Sequence, residues 1–415
     1  MTKIEQKIPE GWSVKKLGKC VHIFGGYAYD SSECTSVGIK WLKIANVGKG
    51  KLEKSEFDYL PLEYKVNTKN YLLKKGDIVM ALTRPITDNQ LKIAYIDDDE
   101  YLLNQRVGKL LFSDDTCADF MYNKLTSSKI VCRISSLLIG TDPPNLTGNV
   151  LNQINILLPP LPEQEKIAGI LGTWDEAIEK LSSLIEQKKN LKKGLMQKLL
   201  TGKTRLKGFT QPWKEVKLGE IGTTYTGLSG KNKDDFGKGS YFIPYMNIYQ
   251  NNKIDSNQLE LVDVLENESQ NSVQYGDIFF TTSSETPEEV GFASVLLFHP
   301  KEKIYLNSFC FGYRLNNFNT LLPNFAVYLF RSSQIRKTMF KLAQGATRFN
   351  LSKNTLIKEK VYLPSDTNEQ QAIADVLSTA DEEINLLNKK LEALKEQKKG
   401  LMQQLLTGQT RVKVN

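Results

Sequence analysis

Apolar side chains recur in alternating steps of four and three at Ile167, Leu171, Trp174, Ile178, Leu181 and Ile185, with Leu195 and Leu199 later in phase. The same spacing returns at Ile373, Leu377, Ala380, Ile384, Leu387, Leu391 and Leu394, then at Leu401 and Leu405. A repeat of 3.5 residues sustained over this length predicts two long helices, each burying a narrow stripe in a coiled-coil seam. Pro159-Pro160-Leu161-Pro162 and Pro364-Ser365-Asp366 preset the two helix entries, and Glu163 and Glu165 sit where the helix dipole favours acid. Gly202 and Gly408 are the expected left-handed caps, giving about 38 residues or roughly 57 Å per helix.

Elsewhere the apolar runs are short and rich in β-branched residues. Trp41 to Val47, Asp77 to Thr83, Leu91 to Ile96, Asp277 to Thr282 and Ala293 to Phe298 alternate with clusters of Gly, Asn, Asp and Lys, a pattern of strands and loops. Tyr122 to Ile139 and Phe325 to Leu342 read as helical.

The two seams belong to a duplication. Between Glu163–Lys207 and Glu369–Lys413, 25 of the 45 aligned positions are identical at a constant offset. The repeat extends upstream, because Trp12 to Gly18 (WSVKKLG) matches Trp213 to Gly219 (WKEVKLG). Weaker landmarks keep the order: Asn46 with Asn247, Gly76-Asp77-Ile78 with Gly276-Asp277-Ile278, Asn104 with Asn307, and Gly140 to Leu146 with Gly345 to Leu351. Between landmarks the copies share little, so a common framework carries divergent filling. The expected fold is α+β: two mixed α/β domains, residues 1–158 and 209–363, separated by helical regions at 159–208 and 364–415. The two helices satisfy their stripes by packing antiparallel on each other, which gives the chain an internal pseudo-two-fold axis.

Composition narrows the function only slightly. The chain of 415 residues has a net charge of +8, a mild basic excess compatible with nucleic acid but not diagnostic of it. Five cysteines without a Cys-x-x-Cys pair indicate neither a disulfide framework nor a zinc site, and fit a reducing compartment. The opening MTKIEQKIPEGW lacks the apolar core of a signal peptide, and no apolar run approaches the roughly 18 residues of a membrane span. A cytoplasmic protein is expected. With only His22 and His299, a duplicated histidine-dependent mechanism is unsupported.

Two motifs suggest chemistry and fail on inspection. Gly202-Lys203-Thr204 resembles the end of a phosphate-binding loop, but it follows a helix, has Gln197 where the earlier glycine is required, and is Gly408-Gln409-Thr410 in the second copy. Asp142-Pro143-Pro144-Asn145 resembles the Asp-Pro-Pro-aromatic loop of amino-methyltransferases, but Asn145 replaces the stacking ring. The first reads as a helix-end turn and the second as a rigid proline turn. The acidic run Asp97 to Glu100 reads as a solvated turn.

Taken together, LPPLPEQEKIAGIL, the helix that follows, GLMQKLLTGKTRL, and Trp-x-x-x-Lys-Leu-Gly opening each half make the chain resemble the specificity subunit of Type I restriction-modification systems. The resemblance spans essentially the whole length and is most specific in the helical regions. It implies two target recognition domains, each reading one half of a bipartite sequence in double-stranded DNA. It implies helices that set the spacer and dock two modification subunits, with restriction subunits as further partners. It also implies no catalysis in this chain and no cofactor of its own: S-adenosylmethionine, ATP and Mg belong to the partner subunits. Under that resemblance, four residues inserted in a helix would add about 6 Å, or roughly one to two base pairs of spacer.

Candidate DNA contacts are polar residues near the landmarks. They are Thr83, Arg84, Asn104, Gln105 and Arg106 in the first domain, and Lys231, Asn232, Lys233, Ser283, Ser284 and Arg348 in the second. Arg and Lys suit guanine or phosphate, and Asn and Gln suit adenine, while each also has a plain structural reading as a surface charge, turn former or strand-end cap. Lys188, Lys192 and Lys398 fall on the seams, where their stems can cover apolar surface while the ammonium groups reach water, a DNA backbone or a partner. Two alternatives remain open: a coiled-coil interaction or scaffold protein without DNA binding, and a self-sufficient methyltransferase, which lacks a convincing cofactor loop.

Overall fold

The computed structural model describes residues 8–138, 142–345 and 347–414. Ile139 and Gly140, which open or close two of the expected segments, and Ala346 within the Gly345–Leu351 echo, lie outside them. The chain divides into two compact units, Met1–Leu181 with Lys390–Asn415, and Ser182–Lys389. Each unit thus contains one globular region, the start of the long helix that follows it, and the end of the other long helix.

In the first unit, one four-stranded sheet has the order Asp58–Leu60, Ile39–Leu42, Tyr101–Leu103, Leu72–Leu73. A second has the order Val21–Gly25, Val107–Phe112, Ile78–Ala81, Ile93–Tyr95. The Ile39–Leu42 and Tyr101–Leu103 strands are parallel, and the other pairings of these sheets are antiparallel. The second unit repeats the plan, with Gly222–Thr226, Cys310–Leu315, Ile278–Thr281 and Ala293–Val295 in one sheet. Glu260–Val262, Phe236–Ile243 and Ile304–Leu306 form the other. Helices Ala118–Thr126 and Ser128–Leu137 correspond to Pro323–Leu329 and Ser333–Leu342.

The landmarks prove to be framework. Gly76 and Gly276 have φ of +91° and +85°, the left-handed conformation that glycine adopts without a side-chain penalty, and each leads into a strand buried at all four positions. Asp77 and Asp277 close the same turn by accepting from the backbone N–H of Lys74 and Gln274, both at 2.8 Å. Each carboxylate also meets a cation, Lys109 at 2.7 Å in one unit and a forked Arg314 at 2.8 and 2.7 Å in the other. Asn46 and Asn247 are buried and donate to two backbone carbonyls each, of Glu53 and Glu56 in one unit and of Asp255 and Gln258 in the other. The expected strand Trp41 to Val47 therefore stops at Leu42. Asn46 Oδ1 accepts the Lys43 N–H at 3.0 Å and turns Ile44–Asn46 into a single 3₁₀ turn.

The long helices run Leu161–Leu199 and Thr367–Leu405, 39 residues each, and Gly202 and Gly408 follow with φ of +68° and +74°. Their starts are fastened identically. Gln164 accepts the Cys117 N–H and donates to the carbonyls of Asp115 and Pro159; Gln370 accepts the Leu322 N–H and donates to those of Thr320 and Pro364, all between 2.8 and 2.9 Å. Every stripe position from Ile167 to Ile185 and from Ile373 to Leu394 is buried or half-buried. The core of the first unit includes Ile167, Leu171, Leu405 and Leu406, and that of the second Ile373, Leu377, Leu199 and Leu200. Burying each such side chain contributes about 1.5–3 kcal/mol, so each globular region is completed by both helices.

The seam lysines do not reach water alone. Lys398 pairs with Asp175 at 2.6 Å in the first unit; in the second, Lys192 pairs with Asp381, and Lys188 with Glu383 at 2.6 Å. Asp175 and Asp381, like Lys192 and Lys398, occupy equivalent positions of the repeat, so one ion pair was duplicated with the helices.

Candidate nucleic-acid interface

Each unit exposes a tight turn between a strand of one sheet and a strand of the other. In the first it runs from Tyr101–Leu103 through Asn104, Gln105 and Arg106 into Val107–Phe112; in the second, from Ile304–Leu306 through Asn307, Ser308 and Phe309 into Cys310–Leu315. Asn104 Oδ1 accepts the Arg106 N–H at 3.0 Å, and Asn307 Oδ1 accepts the Phe309 N–H at 2.8 Å. The turn closes through Val107 N–H to Asn104 O at 2.9 Å, and Cys310 N–H to Asn307 O at 3.2 Å. Leu82 N–H donates to Arg106 O at 2.9 Å, and Thr282 N–H to Phe309 O at 3.0 Å. Gly26 and Gly227 lie so close that a Cβ would stand 2.2 and 2.1 Å from the carbonyl oxygens of Asn104 and Asn307. The turns are therefore held from both sides, and only their tips, Gln105-Arg106 and Ser308-Phe309, are exposed.

A second element lies one residue beyond Leu82 and Thr282. Thr83 bridges Asn145, with Thr83 Oγ1 to Asn145 Oδ1 at 2.7 Å, and Arg84 N–H donates to Pro144 O at 2.8 Å. The proline turn thus braces Thr83 and Arg84, and the exposed Arg84 adopts φ of +49°. In the second unit Ser283-Ser284 pairs with Phe349-Asn350, bringing the exposed Arg348 to the same edge. The structure therefore gathers Thr83, Arg84, Gln105 and Arg106 around one pair of linked backbones, and Ser283, Ser284 and Arg348 around its counterpart.

Several other polar residues, candidates among them, are engaged within the fold. Asn104 is 6% exposed and its amide oxygen is spent on the turn, so it shapes the tip. The Lys231 side chain is 6% exposed and its ammonium pairs with Glu268, which holds that carboxyl down to about 2; a phosphate contact would have to break the pair. Asn232 caps the short turn Lys233–Asp235 through the Asp234 N–H, leaving Lys233 exposed. Ser284 donates to Glu289 at 3.0 Å, and Ser283 O accepts from Tyr245. Arg331 and Arg336 are spent on backbone carbonyls, and burial pushes Arg331 down to about 10. Phe309, 62% exposed, was absent from the sequence candidates. The signal was available, because pairing Asn104 with Asn307 makes Phe309 the counterpart of Arg106.

Thr204 N–H donates to Lys198 O at 3.3 Å, so the Gly-Lys-Thr segment is a helix-end turn. Among the described residues no group of three His, Cys, Asp or Glu side chains could hold a metal ion, and no helix is long and apolar enough to cross a membrane.

Comparison with known proteins accounts for the duplicated plan. The Type I restriction enzyme MjaVIII specificity subunit of Methanocaldococcus jannaschii is 41% identical over 204 residues, covering 48% of each chain. The EcoAI specificity subunit of Escherichia coli is 30% identical over 184 residues, covering 43% of this chain and 30% of that one. These alignments span half or less of the relatives' length, whereas the putative MjaX specificity subunit of M. jannaschii aligns over 98% of this chain and 95% of its own at 26% identity. The fold matches the S subunit of a Type I restriction-modification system from M. genitalium with a TM-score of 0.56, at 16% identity over 98% of both chains. The Type I restriction modification DNA specificity domain matches residues 9–189 and again 210–396, so the chain belongs to that family and carries its domain twice.

Proposed function

We propose that the chain is the non-catalytic DNA-recognition subunit of a Type I restriction-modification complex, each unit reading one half of a bipartite target. The observation that carries this reading is the contrast within the duplicated turn. Its backbone bonds and its asparagine are the same in both units, while the exposed tip is Gln-Arg in one and Ser-Phe in the other. Two unrelated half-sites demand that combination of fixed frame and variable tip.

The helices form an antiparallel coiled coil that sets the spacer. Support comes from the pairs Asp175 with Lys398 and Asp381 with Lys192, each joining the early part of one helix to the late part of the other. Residues 1–158 and 209–363 are the recognition domains, and 159–208 and 364–415 the helical regions. The helical regions dock two modification subunits, with restriction subunits beyond them. S-adenosylmethionine, ATP and Mg act in those partners, and the complex works in the cytoplasm on double-stranded DNA.

The test is DNA binding by the full chain with its modification subunit across a salt series. Contact with several phosphates predicts a steep fall in affinity between 50 and 200 mM salt, on the order of a thousandfold for six contacts. A flat response favours the scaffold alternative.

A further inference from the structure

We propose that the turn after the landmark asparagine is the base-reading element of each unit, and that in the second unit Phe309 reads a thymine through its C5-methyl group. The inference rests on the DNA-recognition reading above and names one of its specificity determinants.

Single exposed apolar residues are ordinary on protein surfaces, so exposure alone says nothing. Three observations set Phe309 apart. It occupies the position of Arg106, an exposed residue of the type that reads guanine or phosphate. Its backbone is fixed on both sides, by Asn307 Oδ1 on its N–H and the Thr282 N–H on its carbonyl, so the ring projects from a rigid mount. The strand pair that follows Thr282 brings Ser283, Ser284 and the exposed Arg348 to one edge, and the Thr282 N–H ties the turn that carries Phe309 to that polar edge.

Thymine follows from what a duplex offers a ring on a turn. Stacked bases hide their faces, and the edges in the major groove are donors and acceptors except for the thymine methyl, the one apolar group there. Insertion between base pairs would instead require the step to unstack and the duplex to kink. Arg106 in the first unit and Phe309 in the second are then two settings of one device, a cationic tip and an apolar tip on the same frame.

The experiment uses the full chain with its modification subunit. Its methylated motif is first obtained by sequencing modified DNA, and the half-site altered by Arg348→Ala is assigned to the second unit. Duplexes are then made with each thymine of that half-site replaced in turn by deoxyuridine, which lacks only the methyl group. At one position the substitution should weaken wild-type binding roughly three- to tenfold. F309A should bind the thymine and uracil duplexes equally, at the wild-type uracil level, with an unchanged melting temperature. F309L should keep part of the discrimination. Equal wild-type binding to every uracil duplex, or a half-site without thymine on either strand, overturns the assignment of Phe309. Absence of a bipartite motif overturns the underlying reading instead.

Discussion

Arg205 donates from Nε and Nη2 to the two carboxylate oxygens of Glu369, at 2.6 and 2.7 Å, and Arg411 makes the same fork with Glu163 at 2.7 and 2.8 Å. Each arginine follows the end of one long helix and each glutamate lies in the first turn of the other. The glutamate side chains are 0% and 3% exposed. One clasp, used twice, fastens the end of one helix to the start of the other within each unit.

Removing the arginine strands a buried carboxylate. Arg205→Ala should lower the melting temperature of the second unit by several degrees, and Arg205→Lys should recover only part of the loss, because an ammonium cannot reproduce the two-bond fork. Calorimetry of the full chain checks both. Equal stability of the lysine variant and the wild type would mean that the fork contributes nothing beyond charge.

Lys124 gives the first unit a pH-dependent contribution to stability that its counterpart in the second cannot make. Its ammonium is buried against Leu406 O at the end of the second long helix, and burial pushes its pKa down to about 7, whereas the equivalent residue of the second unit is Leu329. The unfolded chain holds the proton up to about pH 10.4, so between roughly pH 7 and 10 it binds more protons than the folded state. Stability due to this group therefore rises with pH across that window. Lys124→Leu should melt higher than wild type at pH 7, and the difference should shrink by pH 10.

The duplicated ion pairs are unequal in weight. Asp175 meets Lys398 at a partly exposed site, while Asp381 meets Lys192 and also accepts the Tyr328 hydroxyl at 3.0 Å. Tyr328 is 1% exposed, so losing its acceptor leaves a buried hydroxyl unpaired. Asp381→Ala should cost about 1–3 kcal/mol, and Asp175→Ala under about 1 kcal/mol. Denaturant unfolding of the two variants should separate them.

Framework and reader positions should differ in kind. Asn247 is 1% exposed and makes backbone bonds within the second unit, so Asn247→Ala should lower its stability without changing the bases recognised. Arg84→Ala should leave stability unchanged and degrade one half of the methylated motif if Arg84 reads a base, or weaken binding to all sequences if it meets phosphate. Melting curves and motif sequencing of the two variants provide the comparison.

The helices were legible because a 3.5-residue stripe is a local pattern, and the duplication because identity survives where both packing and clasp depend on it. Gly76, Asp77 and Asn46 were visible as landmarks, but their partners Lys109, Glu53 and Glu56 become neighbours only once the chain folds. The same gap explains the mixed fate of the candidate contacts. Arg84 and Arg106 are exposed, but Lys231 folds onto Glu268, 37 residues away, a pairing no local pattern announces. Phe309 carries no polar group to mark it as a contact, although alignment of Asn104 with Asn307 marks its position.

The most direct test of two readers separated by a helical ruler is the methylated motif of a chain with one heptad inserted after Leu184 and another after Lys389. Seven residues keep the stripe in phase and lengthen each helix by about 10 Å, or roughly three base pairs. Sequencing modified DNA from cells carrying this variant and its modification subunit should return both half-sites unchanged, with a spacer longer by about that amount. An unchanged spacer, or half-sites altered in sequence, would contradict the account.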